Sequence, residues 1–452
     1  MDTDFGQGIR SAVARLLFRS WFDRAALAAL GDWIFPASRL WAAAEAADYD
    51  LSRFCADNPD LCRGVTHLVW LPHVLGSLRT LRLRAVEVER RWDELFFGHK
   101  ACPEADLIAA EARRLRSGRM FLGSRFLFAL AARTARVEPV AWDIPPAAAS
   151  AGAIARADAM FRPPDPWPPI EVSARVRRRG AIEYALRFAL PGAVDGAMAF
   201  ARVSEPPGIA DPPTVIHCHG FGVEAEHLDR MFDEMRPLVS AGVRVVRMIL
   251  PWHGRRRRSG TWSGEPFLAQ APISCVALLE TLVRELGVLV GWARSTSRGR
   301  VALSGVSLGA LTAQLAAVRL RNWPETCSPD ALLLIGTSDR LDRIAFDGAL
   351  ARILGLDRAL SARGWTRDAL TDLAALANPV GTPVVDPARI LMVLGTVDDV
   401  TPFDGGVELA RRWRVPAANQ FHRPQGHFSV SLGLLGEDAP LRRLAALLHG
   451  RG

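Results

Sequence analysis

Lysine is almost absent from this chain of 452 residues: Lys100 is the only one, and arginine supplies nearly all of the positive charge behind a formal net charge of +8. Schiff-base catalysis, pyridoxal chemistry and the phosphate-binding P-loop each need a placed lysine, so the sequence argues against all three. The excess of arginine comes without zinc-finger spacing, a recognition-helix signature or an RNA-binding aromatic motif. We therefore expect no nucleic-acid partner.

Long uninterrupted apolar runs are missing from the N-terminus. Charged side chains interrupt its apolar residues, so it offers neither a signal-peptide core nor a membrane span. The six cysteines are scattered without regular spacing, which is typical of proteins from a reducing compartment. A cytoplasmic location is the resulting expectation. Cys55 and Cys62 are close enough in sequence to form a disulfide, but we interpret them as unpaired thiols.

Neither low-complexity tracts nor repeats of solenoid period occur. With 452 residues, of which 49% are hydrophobic and 23% charged, the chain predicts two domains or one enlarged core with an appendage. The segment "RPPDPWPPI" ends a proline- and alanine-rich connector. We place the domain boundary near residue 165, so that 1–165 forms a helical N-terminal region with its connector and 166–452 forms a second domain.

Helical patterns dominate the N-terminal region up to about residue 135. Glu104 and Asp106 after Pro103 predict the start of a helix, and Gly118 predicts its end. The segment "LRLRAVEVE" alternates as a strand does, but the wider spacing of apolar residues favours a helix. The region also mixes arginines with aromatic residues, among them Trp21, Phe22, Trp33, Phe35 and Trp41. That mixture suits either a membrane surface or packing on the second domain, and we favour packing.

Beyond residue 165, strand patterns alternate with helix patterns. The segment "IEVSARVRRRGAIEYALRFAL" predicts a hairpin that turns at 178–180, and a helix is predicted over 276–293. Short apolar strands follow in "PTVIHCHGFG", "VRVVRMILPWHG", "ALLLIGTS", "ARILMVLGTVDD" and "NQFHRPQGHF". This alternation predicts an α/β fold with a mostly parallel sheet covered by helices on both faces. In such a sheet, functional groups gather at the carboxyl ends of the strands.

One strand ends at a serine between two glycines. In "RVALSGVSLGALTAQLAA", Ser307 lies where a strand pattern becomes a helix pattern, with Gly305 and Gly309 two positions to either side. So tight a turn strains the backbone of its central residue, and a side chain at either glycine would collide with the neighbouring strand or helix. A serine hydroxyl is a poor nucleophile at neutral pH, so it needs a base, and the base needs a third group that fixes its tautomer.

His427 is the predicted base. Three histidines follow the strand that ends in "GTVDD". His422 lies inside the last strand and His449 at the chain end, whereas His427 follows Gly426 in a predicted loop. Only these three are considered because the chain resembles the α/β-hydrolase superfamily, whose motifs come in the order serine, acid, histidine; His427 as the base is what that resemblance implies.

From about Ile170 onward, the chain resembles the α/β-hydrolase superfamily of serine hydrolases, whose motifs follow this order. The resemblance implies a mostly parallel sheet with helices on both faces and a cap, at about 339–378, after the sixth strand of the family's sheet. It also implies an acid in a glycine-x-x-Asp run with a proline four residues later, which Gly395, Asp398 and Pro402 match. Asp339 in "GTSDR" is the alternative, because some members take the acid from the end of the preceding strand.

The family's oxyanion-hole motif is a His-Gly pair after an early strand, and His219 and Gly220 match it. The resemblance implies that the backbone N–H groups of Phe221 and Leu308 stabilise the developing oxyanion. His219 itself is then structural. Polyester synthases of similar architecture carry cysteine at the position of Ser307, and dehalogenases carry aspartate. The serine of this chain therefore implies hydrolysis of a carboxylic ester or thioester through an acyl-enzyme. The substrate is then a small-molecule or lipid ester.

No cofactor is expected, and the spacing of His217, His219 and His253 suits no zinc site without carboxylate help. The run Arg255–Arg258 in "LPWHGRRRRSG" follows a strand end, so it lies either at the pocket rim, where it gathers an anionic substrate, or in a solvated loop. A faint likeness to abhydrolase-domain proteins that act on membrane lipids adds peripheral membrane contact as a hypothesis. The alternative function is a catalytically silent hydrolase fold that binds or scaffolds; the oligomeric state is left open.

Overall fold

The computed structural model describes residues 20–63, 67–150, 160–196, 198–224, 226 and 233–451. The N-terminal region is helical from residue 20, and the predicted helical pattern before that residue lies outside the described part. Its α-helices are α1 Ser20–Ala29, α2 Phe35–Ala46, α3 Leu51–Asp57, α4 His67–Phe97, α5 Glu104–Gly123 and α6 Ala129–Thr134. A π-helical turn, Leu30–Ile34, joins α1 to α2.

The helix predicted from Glu104 runs past Gly118 and ends at Gly123. A glycine inside a helix costs only about 1 kcal/mol, and the continued helix buries Phe121 with its ring centroid 4.7 Å from that of Trp41. Packing therefore outweighs the local stop signal. The segment "LRLRAVEVE" lies within α4, so the prediction of a helix there is confirmed.

Cys55 and Cys62 form a disulfide, so the prediction of unpaired thiols was wrong for this pair. The chain reverses after α3 because Phe54 and Leu61 are buried in the same apolar cluster. The reversal brings the Cα atoms of the two cysteines to 5.5 Å, within the range that a disulfide spans. The cysteines at positions 102, 218, 275 and 327 are free.

The described residues form one ten-stranded sheet in the order β1-β3-β4-β6-β5-β7-β8-β9-β10, with β2 paired to β3. The strands are β1 Glu171–Val172, β2 Val176–Arg178, β3 Ala181–Phe188, β4 Ala199–Glu205, β5 Thr214–Cys218, β6 Arg244–Ile249, β7 Val301–Val306, β8 Ala331–Ile335, β9 Ile390–Gly395 and β10 Gln420–Arg423. Strands β5 to β10 pair in parallel, whereas β1 to β4 pair antiparallel and β4 meets β6 antiparallel. The predicted hairpin is β2–β3, and the predicted mostly parallel sheet is confirmed.

Helices cover the two faces of the sheet. They are α7 Arg236–Ser240, α8 Glu265–Ala269, α9 Ile273–Thr296, α10 Leu308–Arg319, α15 Phe403–Arg412, α16 His427–Leu432 and α17 Ala439–Leu448. One apolar core contains Leu286 of α9 and Leu311 of α10, and the other contains Leu238 of α7 and Leu444 of α17. Strands β5, β6, β8 and β9 are buried along their whole length between these layers, which explains the continuous apolar sequences of β8 and β9.

Four short helices lie between β8 and β9, where the cap was predicted: α11 Leu341–Asp347, α12 Ala349–Leu354, α13 Leu356–Ala362 and α14 Arg367–Ala377. The N-terminal helices also contact the sheet domain. Phe35 of α2 is buried, with its ring centroid 4.7 Å from that of Trp262 and 6.5 Å from that of Phe221. Packing on the core of the sheet domain is therefore confirmed for Phe35. Trp41 is buried among the N-terminal helices, and the Arg257 guanidinium lies 4.5 Å from its ring centroid.

The expectation that Arg255–Arg258 lies at the pocket rim or in a solvated loop was wrong for three of its four residues. Arg255 forms ion pairs with Glu89 and Asp93. Arg256 pairs with Glu285, and Arg257 pairs with Glu45. The partners of Arg255 and Arg257 belong to α4 and α2, so the run joins the N-terminal helices to the sheet domain. Only Arg258 is an exposed side chain.

Candidate active site

Ser307 lies at the sharp turn between β7 and α10, with the backbone angle φ at +55°. A Cβ atom at Gly305 would overlap the backbone of Gly309, and one at Gly309 would overlap the carbonyl oxygen of Cys218. Both positions therefore admit only glycine without a backbone shift. The turn holds Ser307 in a backbone conformation that is strained for any residue other than glycine, and it places the side chain at the carboxyl ends of the parallel strands.

His427 lies beside Ser307, although it is not in the predicted loop: it is the first residue of α16. The helix begins there because the Gly426 N–H donates to the Ser429 hydroxyl at 3.0 Å. The distance from His427 Nε2 to Ser307 Oγ is 2.9 Å, and that from His427 Nδ1 to Asp398 Oδ2 is also 2.9 Å. With the proton on Nδ1, the imidazole donates to the carboxylate and accepts from the serine hydroxyl.

Asp398 is held by the turn that follows β9. Its Oδ1 accepts the backbone N–H groups of Val400 and Thr401 at 3.0 and 2.9 Å, and its Oδ2 accepts the Thr401 hydroxyl at 2.8 Å. These bonds give both oxygens of the buried Asp398 carboxylate hydrogen-bond donors and fix its orientation. Asp339, the alternative acid, instead forms an ion pair with Arg412 at 2.6 Å.

Opposing effects set the pKa of His427. Burial alone would lower it, but the Asp398 carboxylate raises it through its charge and its hydrogen bond, and the charges of Asp23 and Asp399 add to that effect. The net direction is upward from the ordinary histidine value. The site therefore favours the imidazolium that forms when His427 takes a proton.

The segment after β5 lies across Ser307. A Cβ atom at Gly220 would lie 3.4 Å from the Ser307 Cβ, and Phe221 and Leu308 line the same cavity as Ser307. His219 is buried; it donates from Nδ1 to the Gly220 carbonyl at 2.8 Å and accepts the Leu250 N–H at Nε2 at 3.3 Å. Burial lowers the pKa of His219 to about 4, which fits a neutral ring that braces the backbone.

Three residues that the sequence analysis did not assign to the site also contact it. His253 accepts the Gly222 N–H at 3.1 Å and so fixes the loop that contains Phe221; burial lowers its pKa to about 3.

The Thr401 hydroxyl lies 3.1 Å from His427 Nδ1. Gly336, whose φ of +53° favours glycine, lies directly beside the Asp398 and His427 side chains: a Cβ atom there would lie 3.6 Å from each. The glycine that follows β8 can be recognised in the sequence. The role of His253 cannot, because it depends on a contact with Gly222, which is distant in sequence.

An apolar cavity of about 1050 Å³, part of it open solvent, adjoins Ser307. Its apolar lining comes mainly from the helices between β8 and β9, and side chains of α8, α9 and α10 complete it. Among these side chains are Leu311, Leu341, Ile344, Leu354, Leu360 and Leu370. None of the arginines at 255–258 lines it. Within the described ranges, no group of three His, Cys, Asp or Glu side chains is placed to hold a metal ion, and no described helix is both long and apolar enough to cross a membrane.

The comparison with protein families places this site in a known fold. The model of the Alpha/beta hydrolase family matches residues 215–451, from β5 to the C-terminal end of the described chain and more than half of its length. The chain belongs to the α/β-hydrolase family. Strands β1 to β4 and the N-terminal helices of this hydrolase precede the matched residues. A comparison with the curated proteins finds no match.

Several solved structures of esterases match this chain at low identity. A hyperthermophilic esterase from the archaeon Pyrobaculum calidifontis is 18% identical, with a TM-score of 0.39 over 66% of this chain and 88% of that one. Acetyl xylan esterase 1 from a Thermoanaerobacterium species is 17% identical, with a TM-score of 0.42 over 66% and 97%. Brefeldin A esterase, a bacterial homologue of human hormone sensitive lipase, is 17% identical, with a TM-score of 0.40 over 60% and 76%.

Proposed function

We propose that this hydrolase cleaves carboxylic esters or thioesters through an acyl-enzyme formed on Ser307. The observation that carries the proposal is the chain of contacts from the Ser307 hydroxyl through the His427 ring to the Asp398 carboxylate, with both links at 2.9 Å, beside an apolar cavity. Each group has the environment that its role needs: a strained nucleophile, a base with a raised pKa and a buried carboxylate that is fully hydrogen-bonded.

In the first half-reaction, His427 Nε2 takes the Ser307 proton while Oγ attacks the carbonyl carbon of the substrate. The carbonyl oxygen becomes an oxyanion, which the backbone N–H groups of Phe221 and Leu308 stabilise. The tetrahedral intermediate collapses, His427 returns the proton to the leaving alcohol or thiol, and the acyl group stays on Oγ. In the second half-reaction, water loses a proton to His427, attacks the acyl carbon and releases the acid, and Ser307 recovers its proton.

The pH dependence follows from the raised pKa of His427. Only the neutral ring can accept the serine proton, so activity falls as pH drops through this pKa. Because the carboxylate of Asp398 raises the pKa, we expect the acid limb of kcat/KM to have its midpoint above the ordinary histidine value of 6.5. A pH–rate profile with p-nitrophenyl acetate measures it, and a midpoint below 6.5 would contradict the assignment.

The cavity predicts a preference for apolar acyl chains. Burial of each CH₂ group contributes about 0.8 kcal/mol, so kcat/KM should rise about fourfold per carbon from p-nitrophenyl acetate until the cavity is filled. Ala345 lines this cavity and is half-buried, whereas Ala375 is exposed and lies outside it. Ala345→Trp should therefore remove the preference for longer chains while p-nitrophenyl acetate is still hydrolysed. The matched control Ala375→Trp should keep the wild-type preference; equal profiles for both variants would place the acyl chain elsewhere.

A further inference from the structure

The helix that carries His427 is held at its first turn by a residue from the other end of the chain. Asp23 of α1 accepts the N–H of Phe428 at 2.6 Å and that of Ser429 at 3.0 Å, both at Oδ1, and the Ser429 hydroxyl donates to Oδ2. The first N–H groups of a helix have no partner within it. Asp23 therefore caps α16 from outside, as a side chain at the helix's own N-terminus would usually do.

The contact reaches the residue next to His427. A Cβ atom at Gly426 would lie 2.5 Å from the Asp23 Cγ, so only glycine allows the carboxyl group to approach this closely. Asp23 itself is buried. A shift of Asp23 would therefore move the turn from which the His427 ring projects.

Helix α1 is fixed between the two elements that border the site. Leu27 is buried against Ala349 of α12 and Val400 of the turn that holds Asp398. In the π-helical turn that follows α1, a Cβ atom at Gly31 would collide with the Ile353 side chain. This packing gives Asp23 a defined position, although α1 precedes the residues matched by the family model.

Several groups face the His427 ring. Asp398 and Asp399 come from the turn after β9, Asp23 comes from α1, and the hydroxyls of Ser307 and Thr401 are in hydrogen-bond distance. Burial lowers the pKa of His427, and the three carboxylates raise it, with Asp398 the strongest and Asp23 next. Loss of the Asp23 charge should therefore lower this pKa.

We propose that Asp23 is a positioning residue for the reaction at Ser307, because it fixes the first turn of α16 and so holds the His427 ring between Ser307 and Asp398. The inference rests on the proposed function for the reaction that it serves. On this proposal, the N-terminal helices contribute to catalysis although they precede residues 215–451, which the family model matches.

Two substitutions distinguish the helix-capping role of the Asp23 side chain from the effect of its negative charge. Asp23→Ala removes both, and a displaced base should lower kcat roughly tenfold to a hundredfold with little change in KM. Asp23→Asn keeps an oxygen acceptor and caps a helix about as well as aspartate does, so it should restore most of kcat. Both variants should lower the pKa of His427.

Asp50→Ala is the matched control. Asp50 caps α3 in the same N-terminal region by accepting the Arg53 N–H at 2.9 Å, so its substitution removes a helix cap of this region without a contact to α16. We expect Asp50→Ala to leave kcat and the pKa of His427 unchanged. An equal fall of kcat in Asp50→Ala and Asp23→Ala would reduce Asp23 to a general stabilising contact and overturn the proposal.

The pKa of His427 can be measured without turnover, by NMR titration of the ring protons, with the spectrum of His427→Ala to assign its signal among those of the ten histidines. An absence of ester hydrolysis in the wild type would therefore refute the proposed function, while the titration would still test Asp23. A lower kcat and a changed His427 ring signal in Asp23→Ala, with most of kcat restored in Asp23→Asn and no change in Asp50→Ala, support the proposal. An unchanged kcat and an unchanged His427 signal in Asp23→Ala overturn it.

Discussion

Ser307→Ala should lower kcat by roughly four to six powers of ten while the protein stays folded. The substitution removes the only atom that can carry the acyl group in the proposed mechanism, and the N–H groups of Phe221 and Leu308 alone leave a small residual rate. The measurement is the steady-state hydrolysis of a p-nitrophenyl ester, with circular dichroism to verify the fold.

Ser338→Ala is the matched control for this change. Ser338 is buried and lines the same cavity, so its substitution removes a hydroxyl of the same kind without touching His427. It should keep most of the wild-type rate. A Ser307→Ala variant that retained a rate close to that of Ser338→Ala would exclude Ser307 as the nucleophile.

His427→Ala should lower kcat about as much as Ser307→Ala, because nucleophile and base act as a unit. Asp398→Asn should lower it by roughly 10⁴-fold, since an amide at this position leaves the ring in the wrong tautomer. It should also move the acid limb of kcat/KM to lower pH, because the charge that raises the pKa of His427 is lost. Steady-state kinetics across pH measure both effects.

Asp339→Asn tests the alternative acid. Its carboxylate is engaged with Arg412, so we expect a loss of stability but a kcat per folded molecule near that of the wild type. If Asp339→Asn lost activity while Asp398→Asn kept it, the role of the acid would move to Asp339. Thermal unfolding of both variants separates loss of fold from loss of chemistry.

Much of the fold could be predicted because its signals are local. The continuous apolar strands, the glycines around Ser307 and the Gly-x-x-Asp run at Asp398 each reflect a constraint within a few residues. The structure brings Ser307, Asp398 and His427 into hydrogen-bond distance, while their chemical roles stay a prediction until they are measured.

The sequence could not predict which distant residues meet. Four consecutive arginines look the same whether they are solvated or paired, and the partners of Arg256 and Arg257, Glu285 and Glu45, are set only by tertiary packing. Asp23 and the α16 residues that it contacts lie at opposite ends of the chain, and no local pattern joins them. The disulfide likewise depended on a chain reversal that buries Phe54 and Leu61 together.

In the proposed mechanism, Ser307 carries the acyl group. Reaction of the whole protein with a fluorophosphonate, followed by digestion and mass spectrometry, tests it directly. We expect one adduct on the peptide that contains Ser307, formed in the wild type and absent from Ser307→Ala. An adduct on another serine in both proteins would contradict the assignment of the nucleophile, and no adduct together with no ester hydrolysis would identify the chain as a catalytically silent member of the family.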